Sequence, residues 1–233
     1  AEVAPFDPGQ KIIEYRVAEP RPLVRMTVEG FADELGSNSP APGGGSVAAL
    51  AGSLAGGLVS MVAALTHGKK GYREHDASMD RLGLEAQALK DQLLAAVDRD
   101  TAAFNAVMDC FRLPKGSEEE RAAREEAIVA ANKAATEIPL SVIGLCAKVL
   151  ELAQEVAARG NQNSLSDAGV AGLMARAGAW GAFYNVLINL PGIEDEPWCA
   201  ETRQAGEAAV QHADQLGASL QQAVVEKLSA PAE

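Results

Sequence analysis

Asp100 occupies a position where a carboxylate needs a reason. Leu89, Leu93, Val97, Phe104, Val107 and Phe111 recur at the spacing of one helical face; Asp100 falls on that face and Asp98 does not. An acid among apolar side chains is costly unless it is paired or protonated. Burial raises its pKa toward the range useful for moving protons between substrate atoms. The alternative is a buried acid satisfied by a lysine or a backbone amide. Upstream, Gly43, Gly44 and Gly45 precede a helix start, with Ser46 in its first turn. Free amides at such a start hold carboxylates or phosphates; a plainly flexible helix start reads the same way.

Three further groups carry polar chemistry. "HGKKGYR" gathers His67, Lys69, Lys70 and Arg73 in an acidic chain. These cations are either an anion site or ordinary charges complementing a helix C-terminus. "GNQNSLSDAG" supplies Asn161, Asn163, Ser166 and Asp167, although Ser164 and Asp167 also have the spacing of a capping box. "YNVLIN" sets Asn185 and Asn189 four residues apart in an apolar run, where buried amides need partners. A polar heterocycle meets that need, and so does neighbouring backbone.

The elements that must position these groups are nearly all helices. Helices are expected at Thr27–Leu35, from about Gly45 to Thr66, and from Asp76 (read as an N-cap) to Phe111. Ser117 and Glu120 have capping-box spacing for a fourth, which Pro139 should kink or split before its end near Gly160. A fifth runs to Asn189 and a sixth from about Trp198 to Leu228. The exception is "KIIEYRV", Lys11–Val17, which alternates as a short strand does. The expected class is all-α: an up-and-down bundle of five to six long helices (27–233) behind a connector with one short strand (1–26).

From Leu35 to Gly68 the chain carries no formal charge if His67 is neutral. The length suits a membrane span, but the composition is mostly small residues. Gly52 and Gly56 have the small-xxx-small spacing of closely approaching backbones, and Ala168, Ala171, Gly172, Ala175, Gly178 and Gly181 repeat the theme in the fifth helix. A tight central helix pair, within one subunit or across a dimer, is therefore expected rather than a membrane partner.

The 233 residues are 48% apolar but only 4% aromatic, with net charge −12. Such a balance argues against nucleic acid, which needs a basic face, and leaves room for a small anionic ligand at a local basic patch. Cys110, Cys146 and Cys199 fit no zinc spacing, and an odd count argues against a disulfide framework. The N-terminus is polar and proline-rich, unlike a secretion signal. A reducing cytoplasm and no metal are the expectations.

"APGGGSVAAL", "VDRDTAAF", "LPKG", "GNQNSLSD" and "YNVLINL" stand in the order and spacing of one family. The chain resembles the cyclodeaminase domain of formiminotransferase-cyclodeaminase and the related methenyltetrahydrofolate cyclohydrolases from about Thr27 to Leu228. "FDPGQKIIEYRV" is similar to the connector of the bifunctional enzymes. The resemblance implies an all-helical homodimer in one-carbon metabolism linked to histidine catabolism. It implies a folate substrate, with one or more glutamates in its tail, and no cofactor. A formiminotransferase, fused or associated, is the implied partner. The expected reaction converts 5-formiminotetrahydrofolate to 5,10-methenyltetrahydrofolate and ammonia, with Asp100 at the family's catalytic position. Gly43–Ser46, His67, Lys69, Lys70, Asn161, Ser166, Asp167, Asn185 and Asn189 are expected to hold the substrate, with both ends of the glycine-led helix serving it. Cyclohydrolase activity is the alternative on this scaffold, and a non-catalytic dimerisation module the alternative of another class.

Overall fold

The computed structural model describes residues 23–230. The strand read at Lys11–Val17 lies outside the described residues, as does most of the connector. The described part holds six helices: α1 (Val28–Leu35), α2 (Gly44–Thr66), α3 (Asp76–Cys110), α4 (Glu118–Arg159), α5 (Leu165–Asn189) and α6 (Glu196–Ser229). The all-α expectation holds.

α2 is the central element, packed against α3, α4 and α5, while α6 lies on α4 and α5. Side-chain contacts fix the directions. Ser46 meets Asp100 at one end of the α2–α3 pair and His67 meets Asp80 at the other, so the two are antiparallel. Gly44 lies beside Asn185 and Thr66 beside Asn161, which makes α5 antiparallel to α2 as well.

Small residues make this packing possible. A Cβ on Gly178 of α5 would stand 2.8 Å from the Ala48 carbonyl oxygen and 3.2 Å from the Gly52 nitrogen of α2. The expected close pair is thus real and lies within one subunit. Gly52 and Gly56 do not both face α5, however. Gly52 opens toward Cys146 of α4 and Leu93 of α3, and Gly56 toward Ala86 and Lys90 of α3. Cys146 fills the centre, and burial pushes its thiol up to about 12. α2 is long and apolar enough to cross a membrane, and 56% of its most apolar window is buried among the other helices.

Several local expectations change. Ser117 and Glu120 do form a capping box on α4. Ser164 and Asp167 do not: the Ser164 side chain caps nothing, since a 3-10 turn over Gln162–Ser164 leads straight into α5. Asp76 is not an N-cap either; it is the first residue of α3, and its carboxylate accepts the Gly68 N–H at 2.9 Å. Pro139 does not split α4, because buried Ile138, Val142 and Ile143 hold the helix against its neighbours on both sides of it. α6 starts two residues before Trp198, capped by the Asp195 carboxylate. α3 is buried only through Val97; Phe104 and Phe111 remain 37% and 49% exposed.

The last difference has a geometric origin. α3 has 35 residues and α2 has 23. Antiparallel to α3, α2 begins opposite Val97–Thr101, so the last nine residues of α3 overhang it, about 14 Å of helix. The first turns of α4 overhang the end of α5 in the same way: Asn189 reaches Ala135 and Gly192 meets Asn132. Two projecting helices beside two helix ends leave a trough.

Candidate active site

The trough encloses a cavity of about 440 Å³. α3 supplies Asp100, Thr101, Phe104, Val107 and Met108, and its C-cap residue Phe111 follows. The start of α2 supplies Gly43, Gly44 and Gly45, preceded by Pro40 and the cis Ala41–Pro42 peptide. Asn185, Ile188 and Asn189 come from the end of α5, and Asn132 and Ala135 from α4. The apolar residues 104–111, expected in the core, instead form the wall of a binding cavity.

At the inner end Asp100 meets the first turn of α2. No side chain caps that helix; Gly43 holds the cap position. A Cβ on Gly45 would overlap the Asp100 carboxylate, so glycine is required there by close approach. Burial raises the Asp100 pKa above the usual carboxylate range, and hydrogen bonds from the Ser46 hydroxyl and backbone offset part of the rise. Asp98, two residues away, instead accepts the Leu23 N–H at 2.7 Å and ties the chain's incoming segment to α3.

Ser46 gives Asp100 a way to be comfortable in both protonation states. Its buried Oγ lies 3.0 Å from Asp100 Oδ2, 3.0 Å from the Val97 carbonyl oxygen and 3.2 Å from Thr101 Oγ1. One hydroxyl proton cannot serve all three. When Asp100 is ionised, Ser46 donates to it. When Asp100 is protonated, it donates to Ser46, which turns its own proton to the Val97 carbonyl. A group with a raised pKa and a hydrogen bond in either state is suited to taking up and returning a proton.

The asparagines hold polar positions opposite the acid. Asn185 donates from Nδ2 to the Gly181 carbonyl at 2.8 Å, which leaves its Oδ1 as an acceptor. Asn189 approaches the Ala135 carbonyl at 3.5 Å. That carbonyl lacks its ordinary helical partner, because residue 139 is proline and has no N–H. Asn132 donates to the Gly192 carbonyl at 3.1 Å. Thr101 and Asn132 were not singled out in the sequence. Thr101 follows Asp100 directly and needed only the register of α2; nothing local distinguishes Asn132.

The remaining expected residues lie elsewhere. His67, Lys69, Lys70, Asn161, Ser166 and Asp167 cluster at the opposite ends of α2 and α5, about 33 Å away along α2. Within one subunit the two ends therefore cannot share a small ligand. Lys69 donates to Asn161 Oδ1 at 2.5 Å, Asn161 donates from its backbone to Thr66 Oγ1 at 2.9 Å, and His67 pairs with Asp80 at 2.8 Å. Gly68 and Gly71, with φ of 70° and 92°, shape the loop that presents Lys69 and Lys70. Ser166 is exposed and Asp167 half-buried. Among the described residues, no three His, Cys, Asp and Glu side chains cluster as metal ligands would.

A helical bundle whose overhanging ends enclose one tunable acid defines a fold with a candidate proton-transfer site, and known proteins share both sequence and fold. Residues 27–208 match the formiminotransferase-cyclodeaminase family. The chain is 40% identical over 203 residues to a methenyltetrahydrofolate cyclohydrolase of Methylorubrum extorquens, covering 87% of this chain and 98% of that one. It is 37% identical over 214 residues to the mouse formimidoyltransferase-cyclodeaminase, covering 91% of this chain but only 40% of the mouse protein. A crystal structure of a formiminotetrahydrofolate cyclodeaminase from Thermotoga maritima superposes with a TM-score of 0.73 at 29% identity, over 86% of this chain and 98% of that one. The chain belongs to the formiminotransferase-cyclodeaminase family, a family of folate-converting enzymes of one-carbon metabolism.

Proposed function

We infer that the protein is a formimidoyltetrahydrofolate cyclodeaminase, and the observation that carries this reading is Asp100, half-buried and raised in pKa at the inner end of the cavity. Ring closure joins N10 of 5-formiminotetrahydrofolate to its formimino carbon. The N10–C bond forms, the C=N electron pair of the protonated formimino group moves to its terminal NH2, and ionised Asp100 takes the N10 proton. Protonated Asp100 then delivers it to the terminal amino group. The C–N bond breaks, ammonia leaves, and 5,10-methenyltetrahydrofolate remains. The reaction is intramolecular, so holding the two nitrogens in line supplies much of the acceleration. Asn185 and Asn189 face the polar heterocycle, while Phe104, Val107 and Met108 cover the aminobenzoyl ring.

Cyclohydrolase activity is the second reading. The full-length bacterial relative at 40% identity carries that name, and water in place of ammonia needs the same acid. Favouring the first is the connector-like "FDPGQKIIEYRV". Incubation with 5-formiminotetrahydrofolate and, separately, with 5,10-methenyltetrahydrofolate decides between them. Methenyl absorbance growing in the first supports the cyclodeaminase; loss of that absorbance in the second without growth in the first supports the cyclohydrolase.

The reading includes a homodimer. Val47, Ala51, Leu54, Leu58, Met61 and Leu65 alternate spacings of four and three, the seam of helices that pair with their like. Leu54 is 53% exposed, and Leu173 and Tyr184 of the adjoining α5 are open too. A two-fold pairing that sets α2 antiparallel to its counterpart brings the Lys69–Lys70 loop of one copy toward the cavity rim of the other. There the lysines act through their field, drawing in an anionic folate. Light scattering on the protein and on Leu54→Glu tests this: a dimer that falls to monomers is expected, and a monomeric parent protein rejects it.

A further inference from the structure

Arg124 has no part in the chemistry above and is placed oddly for a structural residue. It lies on the overhanging first turns of α4, half-buried, with its guanidinium 5.6 Å from the centre of the Phe111 ring that lines the cavity. Its single hydrogen bond, from Nη2 to the Phe111 carbonyl, is long at 3.3 Å. The buried Nε has no acceptor at all. Two neighbouring arginines are matched: Arg112 with Asp109 at 2.7 Å and Arg121 with Glu118 at 2.5 Å. A guanidinium presents five donors in a planar fork suited to a carboxylate. Leaving a buried donor without an acceptor is unfavourable. The outer guanidinium nitrogens, held only by that one long bond, are the donors an anion at the cavity mouth would meet.

Distance identifies which part of a ligand that anion would be. Asp100 and Phe111 are eleven residues apart on α3, about 16 Å along the helix. Between them run Phe104, Val107 and Met108, an apolar wall for a flat ring. The ligand class is therefore a molecule reacting at one end, aromatic in the middle and carboxylated at the other. We propose that Arg124 anchors the carboxylate end of the substrate, the glutamyl group of a folate, at the outer end of the cavity. The assignment rests on the folate reading for the ligand's name and on Arg124 and the wall for its place.

The probe is p-aminobenzoylglutamate, which has the ring and both carboxylates but no reacting centre. Its diamide, which lacks the charges, is the control. Binding to the whole protein is measured by titration calorimetry at 0.15 M salt. Arg124→Gln should weaken the acid probe at least about tenfold, the loss of one charge-assisted contact. Arg124→Lys should recover part of the loss. The diamide should bind the parent and Arg124→Gln alike. No binding of the probe to the parent, equal affinity in parent and Arg124→Gln, or equal losses for acid and diamide would each overturn the assignment. So would a loss found in Lys69→Ala/Lys70→Ala and not in Arg124→Gln. Failure of the folate reading shows itself separately, as absence of turnover on either folate while the fragment titration still reports on Arg124.

Discussion

The two ends of α2 differ in what is left unsatisfied. At its C-terminal end the central polar groups have found one another: Lys69 with Asn161, His67 with Asp80, the Gly68 amide with Asp76, the Gln162 amide with the Tyr72 hydroxyl. At its N-terminal end no side chain caps the helix, an acid is held above its ordinary pKa, an asparagine oxygen is open, and a cavity adjoins all three. The first end has the conspicuous residues and the second has the candidate site. Charge density in a sequence marks a place where ions sit; unmet hydrogen-bonding capacity beside a cavity marks a place prepared for something else.

The sharpest way to break this comparison is Asp100→Asn. Loss of the general acid–base group should lower kcat by about 10²–10⁴-fold. The fold should not suffer. A carboxyl whose pKa is raised by folding binds its proton more tightly in the native state, so the parent gains stability as pH falls through the raised native value. The asparagine variant lacks that gain. Its melting temperature should equal or exceed the parent's at neutral pH, with the advantage shrinking in acid. Turnover by the parent should fall on the acid side as Asp100 becomes protonated. Near-parental kcat in the variant removes Asp100 from the mechanism.

Gly45→Ala attacks the same end through shape alone. The new methyl group overlaps the carboxylate, and displacing it should reduce kcat by about a hundredfold. Circular dichroism should show an intact bundle; unchanged kinetics would mean the acid is not held where it must act. At the other end, Lys69→Ala with Lys70→Ala should lower kcat/KM about two- to threefold at low salt and hardly at all at 0.5 M, the signature of a screened field. A loss that persists in high salt would show direct contact and narrow the contrast between the ends. Asp167→Asn should be the mildest, within about 0.5 kcal/mol in stability by denaturant titration and without effect on turnover. A large kinetic effect would extend the site to the end assigned a structural role.

How far the sequence could be read depended on the range of each signal. The periodicity of α3 picked out Asp100 from Asp98, and the capping box at Ser117 and Glu120 is present as spaced, because both signals are complete within a few turns. Periodicity states which face of a helix is apolar, not how far a neighbour extends to cover it, so Phe104 and Phe111 read as core. The twelve-residue difference in length between α3 and α2 opened that stretch into a cavity wall. The lysine loop and the asparagines of α5 join one site only through the family resemblance; the antiparallel course of α2 and α5 puts them at opposite ends. Asn132 and Arg124 lie on a charged, exposed-looking stretch of α4, and their significance comes from Gly192 and Phe111, distant or across a turn in the chain.

Pro139 is the quiet contributor to this arrangement. It was first notable as an irregularity that α4 tolerates. In hydrogen-bond arithmetic, removing one donor from the backbone adds one acceptor somewhere, and here the acceptor is the Ala135 carbonyl in the cavity lining. Asn189 reaches toward one lone pair at 3.5 Å, and a carbonyl oxygen has two. A missing hydrogen on an imino acid thus appears four residues away as a place for an incoming N–H to bind.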